Sequence, residues 1–592
     1  MEQYYNIQAQ FQADLNVLKK RKSGLSNLRL LFFVLFAIAF YFYVSEDNLS
    51  ILLISLALFF AFMVFVVKST NIGKKINYLE DALAALDVIF KDDQPNVYHH
   101  FDGEFFNNVY NKDLDIIEGQ SLFNRINKTQ SAIGSYRLKH FLSHVLLDKN
   151  QIHLRQKAFA ELKEKRSFIV EFLTLSKRAG IQQSEIFGAI QRQFYGKTVQ
   201  FIPIIFTIIH AIIFIYLATI GFDKKAVFFW IVISIPIGFI TNLMFKNKVN
   251  QALSYAFVTA DQLQNLIDLF ALVEKETFEQ DLNQEVQKQL ISDQGKASDQ
   301  LKNVRSSLES LEAVGFPIIG FLLNNFLLWK LFFTVQIENR IEKVAINNAQ
   351  WIDGISNLEA YISFAVFNTK YSSFITPTIS DQIFDLQLRQ AFHPLLNEEI
   401  AVKNSFESHR KNNIAIITGA NMAGKSTFLR TVGTNLVLAM NGANVSAEEM
   451  VFYPMDLFTS IRTVDNLSSG DSYFKNEINK LKILIDRLDQ NLPQYIILDE
   501  ILKGTNSQDK LIGSQKFLEK LMHHPTNLVC FIATHDLELT KMEEEYPNHI
   551  VNYCFELKNV DEHYYSDYQL RKGTTQVMNA IYLMKEFKII DA

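Results

Sequence analysis

The strongest restriction on the fold of this chain comes from residues 419–426, Gly-Ala-Asn-Met-Ala-Gly-Lys-Ser. They fit the pattern G-x-x-x-x-G-K-[ST] in full, and they stand between an apolar run at 414–418 and a helical run at 428–440. Gly419 and Gly424 permit a tight turn whose N–H groups, with the positive end of the next helix, surround a phosphate. The sequence therefore predicts a phosphate-binding loop between a buried strand and a helix.

The two residues after the second glycine predict the ligand. Lys425 places a cation toward the β- and γ-phosphate oxygens, and the hydroxyl of Ser426 is a ligand for Mg²⁺. The predicted cofactors are therefore ATP and Mg²⁺.

Two further strand ends supply groups that a bound nucleotide needs. The stretch YIILDE, residues 495–500, predicts a buried strand that ends in Asp499 and Glu500. Asp499 is suited to hold Mg²⁺ through water, and Glu500 to orient the attacking water as general base. A third strand ends near His535, which we expect to sense the γ-phosphate. The alternative for His535 is a polar residue that caps a strand.

Four long apolar runs predict two membrane hairpins. Residues 30–44 and 49–67 form the first pair, with helices at about 28–44 and 49–67, and residues 201–222 and 226–245 form the second. A buried helical hairpin is the alternative for the second pair. A fifth apolar stretch, 314–335, contains proline, asparagines and a lysine, and we expect a buried core helix there.

Basic residues predict the orientation of the first hairpin. They flank both its ends, whereas the turn between its helices is acidic; the basic residues are Lys19, Lys20, Arg21, Lys22, Arg29, Lys68, Lys74 and Lys75. The positive-inside rule then places both flanks in the cytoplasm. We expect a multi-pass protein of the inner (cytoplasmic) membrane whose C-terminal part is cytoplasmic.

Bulk composition gives no independent sign of nucleic-acid binding. The net charge is −5 and only two cysteines occur, Cys530 and Cys554. A strongly basic surface is therefore not indicated. Two cysteines without a metal-like spacing favour packed thiols in a reducing compartment.

The chain is too long for one core and divides by composition. Helical periodicity dominates before about residue 380, and apolar strand-like runs alternate with helices after it. The predicted fold class is α/β, with a mostly parallel sheet at the C-terminus and an all-α core before it. The predicted segments are 1–75 (first hairpin), 76–200 (helical core, first part), 201–248 (second hairpin), 249–380 (helical core or lever, second part) and 381–592 (ATPase).

The C-terminal motifs, taken in order, resemble the MutS family of mismatch-repair ATPases. The similar stretches are HP at 393–394, ITGANMAGKST at 417–427, LFTSIRTVDNLSSGDSYFKNEI at 457–478, ILDEILKGTNSQD at 497–509 and ATHDLEL at 533–539. Upstream, residues 119–142 and 355–365 resemble parts of the MutS core domain. Within the third stretch, NLSSGD resembles the small-residue turn that in ABC-superfamily ATPases contacts the γ-phosphate held by the opposite subunit.

The resemblance implies an ATP-dependent homodimer that binds mismatched or branched DNA. It implies catalytic roles for Glu500 and His535 and metal ligation by Ser426 and Asp499. The implied nucleotide-binding residues are Gly419, Asn421, Met422, Ala423, Gly424, Lys425, Ser426, Thr427 and His393, with Ser472 acting in trans.

This chain also departs from the family pattern. Ala420 and Ala423 stand where the family usually has proline and glycine, and Asp471 stands where it usually has a basic residue. A carboxylate near a triphosphate costs electrostatic energy unless it is paired or points away, so the resemblance does not determine the rate of hydrolysis. We expect no mismatch-recognition domain, because the first membrane helix begins near residue 28.

Three functional classes remain open. The leading hypothesis is a membrane-anchored MutS-like ATPase that acts on DNA. An ABC-type transporter is the second, although four helices are few and His210, which is also explained as a packing residue, is the only ionisable group inside the apolar runs. A membrane-tethered ATP-dependent switch or scaffold without DNA is the third, and Asp471 favours it.

Overall fold

The structure is a computed structural model. It describes residues 1–93, 108–181, 199, 201–255, 260–293, 295–312, 317–461, 473–503, 506–560 and 563–575.

Helices make up most of the chain before residue 371. In chain order the helices are α1 (Glu2–Glu46), α2 (Leu49–Phe90), α3 (Val109–Asp113), α4 (Leu122–Ile126), α5 (Ala132–Ser143), α6 (Lys149–Glu164), α7 (Arg166–Ala179), α8 (Phe201–Thr219), α9 (Lys224–Tyr255), α10 (Ala260–Lys275), α11 (Asp281–Gln289), α12 (Ala297–Glu312), α13 (Pro317–Leu327), α14 (Trp329–Lys370), α15 (Lys425–Met440), α16 (Tyr473–Asp489), α17 (Ser507–Met522) and α18 (Met542–Glu545).

Most strands lie after residue 377. They are β1 (Ile291–Ser292), β2 (Gly295–Lys296), β3 (Thr378–Ile379), β4 (Leu386–Ala391), β5 (Asn404–Ser408), β6 (Asn413–Gly419), β7 (Glu449–Phe452), β8 (Asp456–Ser460), β9 (Gln494–Asp499), β10 (Leu528–Ala533), β11 (Ile550–Val560) and β12 (His563–Lys572).

The main sheet has the order β12-β11-β6-β10-β9-β8, and all its pairs are parallel except β11 with β12. Its central strands are buried on both faces, as continuous apolar runs predict. Alternate residues of β6 separate accordingly: Ile414 and Ile416 join one apolar cluster, and Ala415 and Ile417 join the other. The predicted α/β class, with a helical part before a mainly parallel sheet, is confirmed.

The first predicted hairpin is much longer than a membrane is thick. α1 and α2 have 45 and 42 residues, about 65 Å of helix each at 1.5 Å per residue. The turn between them is set by Asp47, which has φ of 47°, and by Asn48, whose side chain accepts a hydrogen bond from the backbone N–H of Ser50 at 2.9 Å. The far ends of both helices are buried in the core, at Tyr4 and Ile89.

Aromatic pairs explain the abundance of phenylalanine in this hairpin. Phe32 and Phe65 stack with ring centroids 5.1 Å apart, and Phe36 lies 5.2 Å from Phe59. The outer apolar side chains of the same segment are exposed. Among the described helices, α1, α2, α8 and α9 are long and apolar enough to cross a membrane.

The prediction of one buried core helix at 314–335 is wrong. The chain there forms two helices, α13 and α14, which meet at Leu328 with φ of 48° and a bend of 76°. α13 packs on α9 so closely that a Cβ on Gly238 would lie 2.2 Å from the carbonyl oxygen of Asn325, while Phe321 stays exposed. The apolar character of α13 therefore reflects its association with the second hairpin. If α13 and α14 are counted together as one span, the described helices include five candidate membrane spans.

His210 lies in the second hairpin, on α8, and packs against its neighbours. Its Nδ1–H donates to the carbonyl oxygen of Phe206 at 2.8 Å, and its ring meets Trp230 and Phe326. These contacts agree with a packing role.

The helical core and the sheet share one apolar cluster. Polar contacts add to it: the Asp113 carboxylate accepts from the Thr459 hydroxyl at 2.8 Å, and Arg155 donates to the Asn441 side chain at 2.9 Å. A side chain on Gly433 would collide with Leu114, since its Cβ would lie 2.7 Å away. The C-terminal domain and the core are therefore packed as one body at this contact.

Candidate functional site

The predicted site residues meet at one edge of the main sheet. β10 lies between β6 and β9 and runs parallel to both, with Ala533 opposite Ile417 on one side and Asp499 on the other. Parallel strands bring their carboxyl ends to the same edge. The phosphate loop, Asp499 with Glu500, and His535 are consequently neighbours.

Both loop glycines are required by close approaches. Gly419 has φ of 150°, and a Cβ there would lie 2.8 Å from the carbonyl oxygen of Phe555. Gly424, with φ of 111°, caps α15, and its Cβ would lie 3.0 Å from the ring of Tyr568. A backbone oxygen cannot rotate away as a side chain can, so β11 restricts the loop at Gly419. β12 packs against the loop at Gly424 through the ring of Tyr568.

The middle of the loop faces solvent. Met422 has φ of 64° and is 89% exposed, and Asn421 and Thr427 are also exposed. Ala423 is buried, and its carbonyl oxygen accepts from the Ser566 hydroxyl at 2.9 Å. The loop is thus anchored on its β12 side and open on the side where a ligand would enter.

Lys425 is buried and directed back into the loop. Its Nζ donates to the carbonyl oxygens of Gly419 at 2.8 Å and Ala420 at 3.0 Å, and it lies 3.3 Å from Nε2 of His535. Burial lowers the pKa of Lys425, while Asp499 and Glu500 act in the opposite direction. The ammonium is therefore held beside His535 and within electrostatic reach of Asp499 and Glu500.

Ser426 and Asp499 are in direct contact. The hydroxyl of Ser426 donates to Oδ2 of Asp499 at 2.5 Å. Among the described residues no group of three or more His, Cys, Asp or Glu side chains could hold a metal. A hydroxyl beside a single carboxylate fits Mg²⁺, which keeps several waters and takes its remaining ligands from phosphates.

Glu500 has an unusual backbone and two cationic neighbours. Its φ is 55°, a conformation that costs a non-glycine residue about 1 kcal/mol or more and that persists chiefly at functional sites. Lys510 lies 3.3 Å and Lys503 3.6 Å from its carboxylate oxygens. Burial raises the pKa of Glu500, but its cationic neighbours, Lys510 first and then Lys503, outweigh it, so the net shift is downward. The carboxylate is therefore ionised, as a general base must be.

His535 is neutral in this setting. Burial lowers its pKa and the nearby Lys425 ammonium lowers it further. Since Lys425 only donates, Nε2 of His535 is the acceptor and Nδ1 carries the proton.

Sequence reasoning missed the residue that positions the segment after Glu500. Glu477 on α16 is buried, and its carboxylate accepts the backbone N–H groups of Leu502 at 2.6 Å and Lys503 at 3.0 Å. Leu502 also has a positive φ, 58°. Glu477 lies near the end of the stretch 457–478 that resembles MutS, but the sequence alone does not show that its partner is the backbone after Glu500.

His393 takes a different position from the other predicted residues. Its Nδ1 accepts the backbone N–H of Leu395 at 3.3 Å, and burial with the adjacent Arg430 lowers its pKa to about 4. It is therefore a buried, neutral ring near Arg430 of α15. Ser472 and Asp471 lie outside the described residues.

A mainly parallel sheet with a glycine loop, a following lysine and an acidic strand end is the arrangement that P-loop nucleotide-binding proteins share. Residues 415–588 match the family MutS domain V. This C-terminal region therefore carries a domain of the MutS family.

Curated relatives match over part of the chain. The "DNA mismatch repair protein MutS" of Flavobacterium johnsoniae is 30% identical over 222 residues, 36% of this chain and 25% of the relative. The protein of the same name from Fusobacterium nucleatum is 32% identical over 209 residues, 34% of this chain and 23% of the relative. The human "MutS protein homolog 4" is 30% identical over 237 residues, 38% and 24%. The chain thus spans about a quarter of the length of the relatives it matches.

Proposed function

We propose that this protein is a membrane-anchored, Mg²⁺-dependent ATPase of the MutS type that works as a homodimer on DNA. The observation that carries the proposal is the convergence of Lys425, Ser426, Asp499, Glu500 and His535 at one sheet edge. Few arrangements other than a triphosphate with a metal need a phosphate loop, a hydroxyl, a metal-binding carboxylate and a separate base together.

The side chains divide the chemistry among them. Lys425 leaves its loop carbonyls to contact the β- and γ-phosphate oxygens, and Ser426 with Asp499 holds Mg²⁺, which when bound neutralises phosphate charge. Glu500 accepts the proton of the attacking water. His535, neutral and already beside Lys425, is placed to report whether a γ-phosphate is present.

Membrane anchoring is proposed from α1, α2, α8 and α9. Their apolar surfaces are exposed over lengths that match a hydrocarbon layer of about 30 Å. Lysines and arginines before residue 30 and after residue 67 place both flanks of the first hairpin in the cytoplasm. The nucleotide site then lies on the cytoplasmic side of the inner membrane.

Dimerisation is proposed from the signature turn around Ser472, which by resemblance completes the partner's site. A cysteine placed at Ser472 and one at Met422, the exposed tip of the loop, tests this arrangement. A crosslink between subunits that depends on a non-hydrolysable ATP analogue is expected. A protein that stays monomeric when saturated with the analogue would exclude shared sites.

Action on DNA is tested by ATP turnover of the full-length protein in nanodiscs, with and without duplex, mismatched and branched DNA. We expect DNA to change turnover several-fold and to bind in an ATP-sensitive manner. The Lys425→Ala variant is the control, since its DNA response should no longer depend on nucleotide. Salt must be fixed, because backbone contacts weaken steeply with ionic strength.

A second candidate, an ATP-dependent switch without DNA, is favoured by the course of α14. The C-terminal end of this helix lies at the contact surface with the C-terminal domain. Near its N-terminal end, Leu331 and Val335 belong to an apolar cluster that also contains Val249 of α9. The arm therefore ends against the proposed membrane helices. Turnover that is indifferent to every DNA tested, in a protein that still dimerises with ATP, would select this candidate.

A further inference from the structure

A cavity of about 950 Å³ lies at the foot of the first hairpin. α1 and α2 enclose it on one side, and α7 and α10 on the other. Arg21 lies nine residues before the apolar run that starts at 30, and Lys74 and Lys75 lie seven and eight residues after the run that ends at 67. This is about 10 to 14 Å along each helix. The polar head-group layer itself extends about 5 to 8 Å beyond the hydrocarbon, and long basic side chains reach back toward it across the remaining distance.

The hairpin wall of this cavity is positive. Arg21, Lys74 and Lys75 line it, and the hairpin contributes one carboxylate, Asp14. Three cations against one anion leave an excess of positive charge on this wall. A phosphate that enters beside the hairpin would therefore find complementary charge.

The core wall has the opposite character. Glu171 of α7 and Asp268 of α10 line it, together with Glu276, whose carboxylate is already paired with Lys165 at 2.7 Å. Burial raises the pKa of Glu171, and the charges of Asp268 and Glu276 raise it further, so these carboxylates are near enough to repel one another. A cation placed among them would relieve this repulsion.

Two cations on the core wall do not neutralise these carboxylates. Arg178 is already paired with a different carboxylate, that of Asp81, at 3.0 Å. Lys275 lowers the pKa of Glu171, but its effect is smaller than those of burial and of the two neighbouring carboxylates. The cavity is thus dipolar, positive on the hairpin side and negative on the core side.

We propose that this cavity binds the head group of a membrane phospholipid that carries both a phosphate and an ammonium, as phosphatidylethanolamine does. The phosphate faces Arg21 and Lys75, and the ammonium faces Glu171 and Asp268. The head group then joins the hairpin to the helical core. The inference rests on the membrane anchoring proposed above.

The test measures lipid retained by the full-length protein, taken from nanodiscs of phosphatidylethanolamine, phosphatidylglycerol and phosphatidylcholine in equal amounts, by native mass spectrometry. We expect retained phosphatidylethanolamine to exceed the other lipids. The double variant Arg21→Gln/Lys75→Gln should retain about tenfold less of every phospholipid, since it loses charge-assisted hydrogen bonds to phosphate. Lys20→Gln/Lys22→Gln, with the same loss of two charges on either side of Arg21 but outside the cavity lining, is the matched control and should behave as the parent.

The acidic pole is tested separately with Glu171→Gln/Asp268→Asn. This variant should lose the preference for phosphatidylethanolamine and keep phosphatidylglycerol. Equal retention of all three lipids by the parent, or unchanged retention in both cavity-lining double variants, would overturn the proposal. So would retention of soluble glycerophosphoethanolamine in place of the lipid, because the site would then serve a free metabolite.

Failure of the anchoring and failure of the lipid site give different results. Release of the protein from membranes by alkaline carbonate would refute both the proposed anchoring and this inference. A protein that stays in the carbonate-washed membrane but retains no phosphatidylethanolamine would remove the lipid site alone.

Discussion

Replacing Glu500 with glutamine separates the chemistry of the proposed site from its architecture. The amide keeps the size of the side chain but cannot accept a proton from water. Loss of a general base lowers turnover by about 10² to 10⁴, which corresponds to about 3 to 5 kcal/mol at 1.36 kcal/mol per tenfold. ATP binding should persist, because Lys425 and Ser426 are unchanged.

The cost to stability should be much smaller. Glu500 loses ion pairs with Lys510 at 3.3 Å and Lys503 at 3.6 Å, and all three side chains are partly exposed, at 21 to 31%. Such pairs contribute about 0.2 to 1 kcal/mol each. A large fall in kcat with a shift of only a few degrees in Tm is therefore expected.

The assay is steady-state ATP turnover, combined with nucleotide retention and the fraction of dimer after ATP is added. Glu500→Gln should retain ATP and accumulate as the dimer. Glu519→Gln is the matched control, because Glu519 is also paired with a lysine, Lys516 at 2.7 Å, but lies on the outer face of α17. Turnover of the Glu500 variant within threefold of the parent would refute Glu500 as the base.

Three further predictions test the site and the fold around it. In Lys510→Met the pKa of Glu500 should rise toward its ordinary value, so the acid limb of the pH profile of kcat should move to higher pH; an unmoved limb would contradict the ion pair. Gly419→Ala places a Cβ 2.8 Å from a backbone oxygen and should weaken ATP binding at least tenfold by calorimetry, while circular dichroism stays unchanged. Glu359→Ala removes a fully buried carboxylate that accepts from Gln130 N–H at 2.6 Å and from Ser176 at 2.9 Å, and should lower the free energy of unfolding by about 3 to 5 kcal/mol; a loss below 1 kcal/mol would contradict that network.

The sequence predicts the parts of the site that depend on local pattern. Strands β6, β9 and β10 are apolar runs of the right length, and a residue that follows such a run in a parallel sheet lies at the ligand edge. Asp499, Glu500 and His535 could therefore be placed together before any coordinates. Their distances could not, because the direct Ser426 to Asp499 contact depends on how two strands align.

Long-range contacts account for what local pattern missed. Glu477 binds the backbone at Leu502 from a different helix, and Lys510 reaches Glu500 across a turn. The break at Leu328 is also invisible in composition, since α13 is apolar enough for a core. The structure explains why α13 is apolar without lying in the core: Gly238 has no side chain, so the backbone of α13 at Asn325 packs directly on α9.

The course of α14 bears on how the two ends of the molecule communicate. Its 42 residues span about 63 Å. Near its C-terminus, Oδ1 of Asn368 accepts the backbone N–H of Asn444, just after α15, at 3.0 Å, and Glu359 ties its middle to the helices of the core. At its N-terminus Leu331 packs with α9. Because α15 begins at the phosphate loop, any shift of α15 on nucleotide binding would act on one end of a long helix whose other end lies among the proposed membrane segments. Packed helices change between discrete arrangements rather than bend continuously, so such a shift would move the N-terminal end of α14 as a unit.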